Sequence, residues 1–449
     1  MEKTPLEDWI AYKIGIRPGS LSREAIEQYQ LARIRQTVAL AKEKSTFYRE
    51  KLSGVNPIKI MDYVQFSKLP FTYPQDIKEN PLRFVCVSPK DIDRIVTLQS
   101  SGTTGEPKRL FFTKEDQELT IDFFNHGMRN LVGPSDRVLI LLPWQLPGSV
   151  GDLLRIGLKR LKACPLPYGI VQDPEAAIAA AVESGANAIV GIPTQVLGMA
   201  RHRKGKELAG RIKSVLLSTD YVPQAICQVL KEQWGCKVFN HYGMTEMGLG
   251  GGVQCSDLLA YHLREADLYF EIVDPETGQL LPEGELGEIV FTTLTRQGMP
   301  LIRYRTGDVS RFIPENCPCG TILRSMEVVK QRISGKTILA ETDFLITELD
   351  EVLFSINGIL DYQSTLALTG GKDCLTIEVK TERKNKIDPV AMRQVLHTIP
   401  AIQQGLERGT LEVIVGESCE FMPISKGTAK RMILDTREQQ QRPSGIQHS

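Results

Sequence analysis

Ser100-Ser101-Gly102-Thr103-Thr104-Gly105-Glu106-Pro107-Lys108 is the stretch that decides how this chain is read. Glycines at 102 and 105 let the backbone bend so that several N–H groups face one anion. The hydroxyls of Ser100, Ser101, Thr103 and Thr104 add donors, and Lys108 adds positive charge. The Gly-Lys-Ser/Thr ending of a Walker loop is missing. Clusters of Ser, Thr and Gly are ordinarily plain solvated loops. Here residues 92–99 read as a strand running into the loop, and that placement, with the density of donors, points to phosphate.

Outward from the loop, strand and helix patterns alternate. Residues 138–142 and 188–192 are short apolar runs ended by Pro143 and Pro193, each suited to a buried strand feeding a loop. Residues 174–184 read as helix. Upstream, 21–52 also reads as helix, with Ser22 as N-cap, Glu24 in the first turn and Ile26, Tyr29, Ile34, Val38 and Ala41 on an apolar face. Ala25 stands where a full capping box needs Glu or Gln. This alternation predicts an α/β fold, a large multi-layer domain over 1–331. From Tyr269 the texture changes. Residues 269–273 and 287–293 read as strands with the turn Asp274-Pro275-Glu276-Thr277-Gly278 between them, a β-rich subdomain of about 269–331. Beyond it, 343–355 and 389–397 read as helices and 375–380 and 411–415 as strands, giving a small α+β C-terminal domain over 332–435. The Gln-, Arg- and Ser-rich stretch 436–449 reads as a disordered tail.

Bulk properties exclude several function classes. Lys+Arg and Asp+Glu balance at 54 each, so no global charge draws the chain to nucleic acid or an anionic membrane. No apolar stretch approaches the roughly 18–20 residues that span a bilayer, and the opening residues lack the basic-then-apolar order of a signal peptide. Nine cysteines, an odd number, do not make a secreted disulfide framework. The expected location is the cytoplasm.

The 100–108 loop resembles the phosphate loop of acyl-adenylate-forming enzymes, the group that holds acyl-CoA synthetases, luciferases and peptide-synthetase adenylation domains. Asn240-His241-Tyr242-Gly243-Met244-Thr245-Glu246 resembles that family's adenine and metal motif, and Tyr304-Arg305-Thr306-Gly307-Asp308 its ribose motif, in the expected order. Within the family the chain is most similar to phenylacetate–CoA ligases and coenzyme F390 synthetases. That likeness is carried by Ser45-Thr46-Phe47-Tyr48-Arg49-Glu50-Lys51-Leu52, by Leu69-Pro70-Phe71-Thr72 with Asp76-Ile77, and by residues 284–292 and 300–305.

The resemblance implies ATP, Mg²⁺ and CoA as cofactors and a carboxylic acid, aromatic at the family level, as substrate. It implies an acid–thiol ligase that forms acyl-AMP and then a thioester, with a mobile C-terminal domain and a homodimer. Nucleotide binding would fall to Ser100, Ser101, Gly102, Thr103, Thr104, Gly105, Lys108, Asp220, His241, Tyr242, Gly243, Asp308 and Arg332. Tyr242 offers an aromatic face for adenine, Thr245 a hydroxyl near the α-phosphate, Glu246 a carboxylate for Mg²⁺, and Asp308 two acceptor oxygens for ribose hydroxyls. Residues 144–148 and 191–194 are expected to line the acyl pocket.

Cys255, His262, Cys317 and Cys319 form a second constellation. Three thiolates and one imidazole suit Zn²⁺ in a closed structural site, although Cys-x-Cys is tighter than the usual spacing. Some phenylacetate–CoA ligase-like proteins carry a zinc at this place, so the resemblance supports it. Reduced cysteines in a turn beside an ordinary histidine are the alternative.

Two departures from the family pattern stand out. At 331–340 Arg332 is kept, but both hinge carboxylates and the later arginine are absent, leaving Gly335 to supply hinge freedom. In Ser425-Lys426-Gly427-Thr428-Ala429-Lys430-Arg431, Thr428 fills the slot of the family's catalytic lysine. Lys426 and Lys430, two residues to either side, are the candidates to replace it, and both also read as ordinary surface lysines. The rival readings are an adenylyltransferase of the F390-synthetase kind, a nucleotide-binding protein without ligase activity, and a supplier of acyl groups to a carrier protein.

Overall fold

The computed structural model describes residues 3–98, 107–381, 388–417 and 431–437. Among the candidate site residues, Ser100, Ser101, Gly102, Thr103, Thr104, Gly105, Lys426 and Lys430 lie outside them, as does the 438–449 part of the tail.

A nine-stranded mixed sheet forms the centre. Its parallel part runs Cys164–Pro167, Arg137–Ile140, Ala188–Gly191, Ser214–Leu217 and Lys237–Tyr242 in spatial order. Antiparallel strands continue it: Gly252–Gln254, Tyr261–Leu263, Ser325–Met326 and Phe312–Ile313. Ala188–Gly191 and Ser214–Leu217 are buried at every position, as strands covered on both faces must be. Alternation sorts their side chains. Val138, Ile140 and Val190 pack with Phe123 and Leu154 on one side, while Leu139, Ile189 and Val215 pack with Ile178, Leu197 and Ile226 on the other. Helices therefore cover both faces, and the multi-layer α/β fold expected from the sequence is what forms.

A four-stranded antiparallel sheet follows in the order Leu268–Val273, Gly287–Thr293, Tyr304–Ser310, Gln331–Arg332. The stretch expected to be one β-rich unit is divided, because Phe312–Ile313 and Ser325–Met326 join the central sheet instead. A third sheet comprises Leu411–Glu417, Lys372–Thr381, Ile359–Thr369 and Ile433–Asp435, packed with the helices Ile346–Ser355, Pro389–Leu396 and Pro400–Glu407.

Two sequence expectations need correction. The 343–355 helix begins only at Ile346, because Thr342–Leu345 is a strand paired with Lys336–Leu339. The turn between those strands takes positive φ at Ala340 (47°) and Glu341 (68°). Phe344 is fully buried in this register, and the Glu348 carboxylate accepts the Leu345 N–H at 2.9 Å, starting the helix there. The 21–52 helix is likewise two helices, Arg23–Lys44 and Thr46–Lys51. Ser22 caps the first as expected, accepting the Ala25 N–H at 3.2 Å.

Ser45 makes the break. It is extended (φ −87°, ψ 126°), ends one helix and caps the next by accepting the Tyr48 N–H at 3.2 Å, and donates to the Arg83 carbonyl at 2.7 Å. Its side chain is fully buried. Ser45→Ala is expected to cost about 1–2 kcal/mol, through a lost cap and a lost hydrogen bond to the Arg83 carbonyl. Urea unfolding should show a lower midpoint at unchanged slope; a midpoint equal to the parent's would remove the cap from this account.

Candidate active site

The carboxyl ends of the parallel strands carry the site. Lys237–Tyr242 delivers His241 and Tyr242, and the chain then turns through Gly243 into the short turn Thr245–Met247, which carries Glu246 inward. Gly243 is required by close approach: a Cβ there would stand 2.5 Å from the Leu249 carbonyl oxygen. Strand Arg94–Leu98 pairs antiparallel with Lys108–Phe112, and Lys108 begins the second of the two.

Lys108, Glu246 and Tyr304 form one buried cluster. The Lys108 ammonium ion-pairs with the Glu246 carboxylate and donates to the Tyr304 hydroxyl at 3.2 Å, and that hydroxyl donates to Glu246 Oε1 at 3.1 Å. Burial alone would raise the Glu246 carboxyl, but Lys108 outweighs it and holds the group ionised below its ordinary range. Tyr304 opens the strand that carries Asp308, yet its hydroxyl is bound into the Lys108–Glu246 cluster.

Asp308 sits across the strand register from Arg332. Tyr242 donates its hydroxyl to Asp308 Oδ2 at 3.1 Å, and Arg332 Nε lies 3.1 Å from Oδ1 as an ion pair. Oδ1 is nonetheless buried without a hydrogen-bond donor among the described residues, an acceptor suited to a ribose hydroxyl. Burial, then Asp308, pushes the Tyr242 phenol well above its ordinary range, so it stays a donor. Gly307, at φ 74°, supplies the left-handed turn before Asp308, and Arg332 donates to the Thr306 carbonyl at 2.7 Å.

Asp308, Tyr242, Gly243, His241, Arg332 and Asp220 all line one cavity of about 410 Å³. Asp220 accepts the Tyr221 N–H at 2.8 Å and faces the guanidinium of Arg431 at 3.6 Å. Arg431, which the sequence did not single out, also pairs with Asp350 at 2.9 Å. Six of the predicted nucleotide residues thus converge, with Lys108 and Glu246 in the adjoining cluster.

The model of the AMP-binding enzymes matches residues 21–295, more than half of the chain. The chain belongs to the AMP-binding enzyme family. The expected kinship within it is borne out by curated relatives. The phenylacetate-coenzyme A ligase of Thermus thermophilus is 28% identical, covering 93% of this chain and 98% of the relative, and that of Escherichia coli is 26% identical, covering 91% and 93%. Among solved structures, 2-hydroxyisobutyryl-CoA ligase in its postadenylation state is 20% identical and superposes with a TM-score of 0.76, covering 92% of this chain and 90% of that one. The same ligase in its thioesterification state scores 0.66 over 93% and 91%.

This AMP-binding enzyme holds a second cluster at the antiparallel end of its central sheet. Cys255 follows the strand Gly252–Gln254, His262 lies within Tyr261–Leu263, and Cys317 and Cys319 lie in a turn closed by the Gly320 N–H on the Cys317 carbonyl at 2.9 Å. Their ligand atoms all fall within 4.8 Å of one another, with 3.7 Å between the Cys255 and Cys317 sulfurs and 3.5 Å from Cys319 Sγ to His262 Nε2. Burial opposes ionisation of Cys319, yet the His262 ring and the Thr321 N–H bring its thiol down to about 6.

A small apolar cavity lies behind His241, between Phe124, Leu142, Leu154 and Val190. It borrows Leu142 and Val150 from either side of the 144–148 stretch and Val190 from the strand before 191–194, rather than those segments themselves.

Asp308→Ala is expected to weaken ATP binding by roughly 3–6 kcal/mol, two charge-assisted hydrogen bonds to the ribose, or about 10²–10⁴-fold in Kd. Calorimetry on the folded variant checks it, and an unchanged affinity would mean that Asp308 does not hold the ribose.

Proposed function

We propose that this chain activates a carboxylic acid as acyl-AMP with ATP and passes the acyl group to CoA. The observation that carries this reading is the convergence of Asp308, Tyr242 and Arg332 on one cavity beside the Lys108–Glu246–Tyr304 cluster. The names of the curated relatives point the same way.

In the first half-reaction a carboxylate oxygen attacks the α-phosphorus of ATP. The new P–O bond forms as the bond to pyrophosphate breaks. Tyr242 and Asp308 hold the nucleoside, and Lys108 turns from Glu246 to the phosphates, so that positioning and charge do the work without a protein nucleophile. A hard divalent cation such as Mg²⁺ fits the ionised, buried Glu246 carboxylate, and when bound it would neutralise phosphate charge. In the second half-reaction the CoA thiol, losing its proton to solvent, attacks the acyl carbon, and AMP leaves with the bonding electrons. We take 332–435 as a separately moving domain that turns about the stretch from Arg332 to Gly335 between the two steps. Cytoplasmic residence agrees with eight unpaired cysteines among the described residues and with no described helix long and apolar enough to cross a membrane.

Pyrophosphate release tests the reading. It should depend on both ATP and an added acid, and thioester should appear only with CoA. Lys426→Ala or Lys430→Ala, whichever lysine replaces the one lost at Thr428, should slow single-turnover adenylation about 10²–10³-fold with ATP affinity little changed. Release without any demand for CoA, with AMP passed to a hydroxyl, would favour the adenylyltransferase. No acid-dependent release at all would favour a nucleotide-binding protein, the reading to which Thr428 lends weight.

We also propose that Cys255, His262, Cys317 and Cys319 hold a structural Zn²⁺. Tetrahedral bonds of about 2.3 Å to sulfur place the sulfurs about 3.8 Å apart, close to the 3.7 Å found. Protein purified without chelator should carry about one zinc per chain, and Cys317→Ser should lose it together with thermal stability. Metal analysis that finds none would end this proposal.

A further inference from the structure

Glu246 enters the site on the short turn Thr245–Met247, a length of chain that does not hold its own shape in water. What fixes it comes from elsewhere. Arg296 Nη1 donates to the Glu246 carbonyl at 2.7 Å, and Thr120 donates its hydroxyl to the Gly248 carbonyl at 2.8 Å. Gly248 ends the turn at φ 77°, and a Cβ there would stand 3.2 Å from both Arg296 Nη2 and Thr120 Oγ1. Both side chains therefore pack against the same glycine.

Arg296 is itself tightly held. Its guanidinium lies 4.7 Å over the ring of Phe112, the last residue of the strand that Lys108 begins. The backbone on either side is tied down. Thr295 donates its hydroxyl to Asp267 at 2.8 Å, and the Gln297 and Gly298 N–H groups both donate to the Asp116 carboxylate at 2.9 Å. One side chain thus touches both elements that supply the Lys108–Glu246 pair.

Stability is a poor reason for placing a cation here. Arg296 is 6% exposed and makes no ion pair among the described residues. Burial brings its guanidinium down to about 10, with Asp116 and Glu246 supporting the charge and Arg264 opposing it, so it stays charged at neutral pH. Burying a cation without a paired carboxylate costs stability. In return the charge gains a strong bond to one carbonyl, which belongs to the residue whose carboxylate faces Lys108.

We propose that Arg296 is a positioning residue for adenylation. It fixes the Glu246 turn against the Phe112 strand, and so sets where the Glu246 carboxylate and the Lys108 ammonium stand when ATP binds. Arg296 does not line the nucleotide cavity, so it acts through Glu246 and not on the substrate. The inference rests on the ligase reading.

Acid-dependent pyrophosphate release, calorimetry with ATP and native-state hydrogen exchange test it together. Arg296→Met keeps the length and removes the donors. It should lower kcat about 10²-fold, the effect of misplacing a reacting group by about an ångström, while the Kd for ATP stays within about threefold. Arg296→Lys, which restores the charge and a donor, should recover about tenfold of that loss. The Met247, Gly248 and Leu249 N–H groups bond back to the Met244 and Thr245 carbonyls. In Arg296→Met they should exchange at least about tenfold faster while the central sheet keeps its protection. Should Arg296→Met not fold, Arg296→Lys and Thr120→Val carry the test, each lowering kcat more than ATP affinity. A folded Arg296→Met with the parent kcat would overturn the inference and leave the ligase reading standing. So would equal losses of kcat and ATP affinity with faster exchange throughout, the mark of a merely structural role. A parent that releases no pyrophosphate with any acid would end both.

Discussion

Arg303 is the buried charge on which the placement of the site depends. It is 1% exposed and pairs with Glu271 at 3.1 Å, donates to the carbonyls of Ser67 and Leu69, and lies 4.0 Å over the Phe71 ring. Its Nη2 alone is buried without a partner among the described residues, and removing one partner of such a buried pair typically costs about 3–5 kcal/mol. The backbone repeats the same connection. Thr72 N–H bonds to the Arg303 carbonyl at 3.0 Å, Arg305 N–H to the Thr72 carbonyl at 2.9 Å, and Tyr48 and Thr72 share their hydroxyls at 2.9 Å. Together these fix where the strand Tyr304–Ser310 begins. Its buried positions are then Tyr304, Thr306, Asp308 and Ser310. A slip of one residue would turn Tyr304 away from Glu246 and Asp308 away from Tyr242, so the two halves of the site share one register.

Most of the fold could be read in the sequence, because its signals are local. The apolar runs that became Arg137–Ile140 and Ala188–Gly191 end in prolines, Ser22 caps its helix, and the strand Gly287–Thr293 shows its β-branched residues openly. The residues proposed to hold the nucleotide could be singled out for a related reason: His241, Tyr242 and Gly243 lie in one short contiguous motif and Asp308 in another, and the cavity brings the two together. What stayed hidden depends on distant partners. Residues 336–345 look helical at their end until Phe344 is seen to need burial. The Tyr304 hydroxyl acquires its role from Lys108, 196 positions away. Arg431 is one cation among 54 until Asp220 and Asp350 surround it, and no spacing rule announces a cavity behind His241.

The same contacts define what the proposed rotation must undo. In this arrangement the Glu351 carboxylate accepts the Tyr221 hydroxyl at 2.6 Å and the Gln224 and Ala225 N–H groups at 2.9 and 3.1 Å, the open end of the helix Gln224–Trp234. Arg201 donates to the carbonyls of Phe354 and Ile359, and Arg431 bridges Asp220 to Asp350. Water can take over these polar groups once the faces part, but Ile226 and Leu230 share one buried apolar cluster with Leu349 and Leu353, so the rotation must also expose apolar surface. Arg332 behaves differently. It is held by Asp308 and by the Thr306 carbonyl, so the chain entering the hinge is tied to the ribose side of the site. A turn about the residues after Arg332 can therefore release Glu351, Arg201 and Arg431 from their partners while leaving Asp308, Tyr242 and the bound acyl-AMP where they are. The proposed second half-reaction would use that separation, since a new face could then reach the acyl carbon without disturbing the nucleotide that is about to leave.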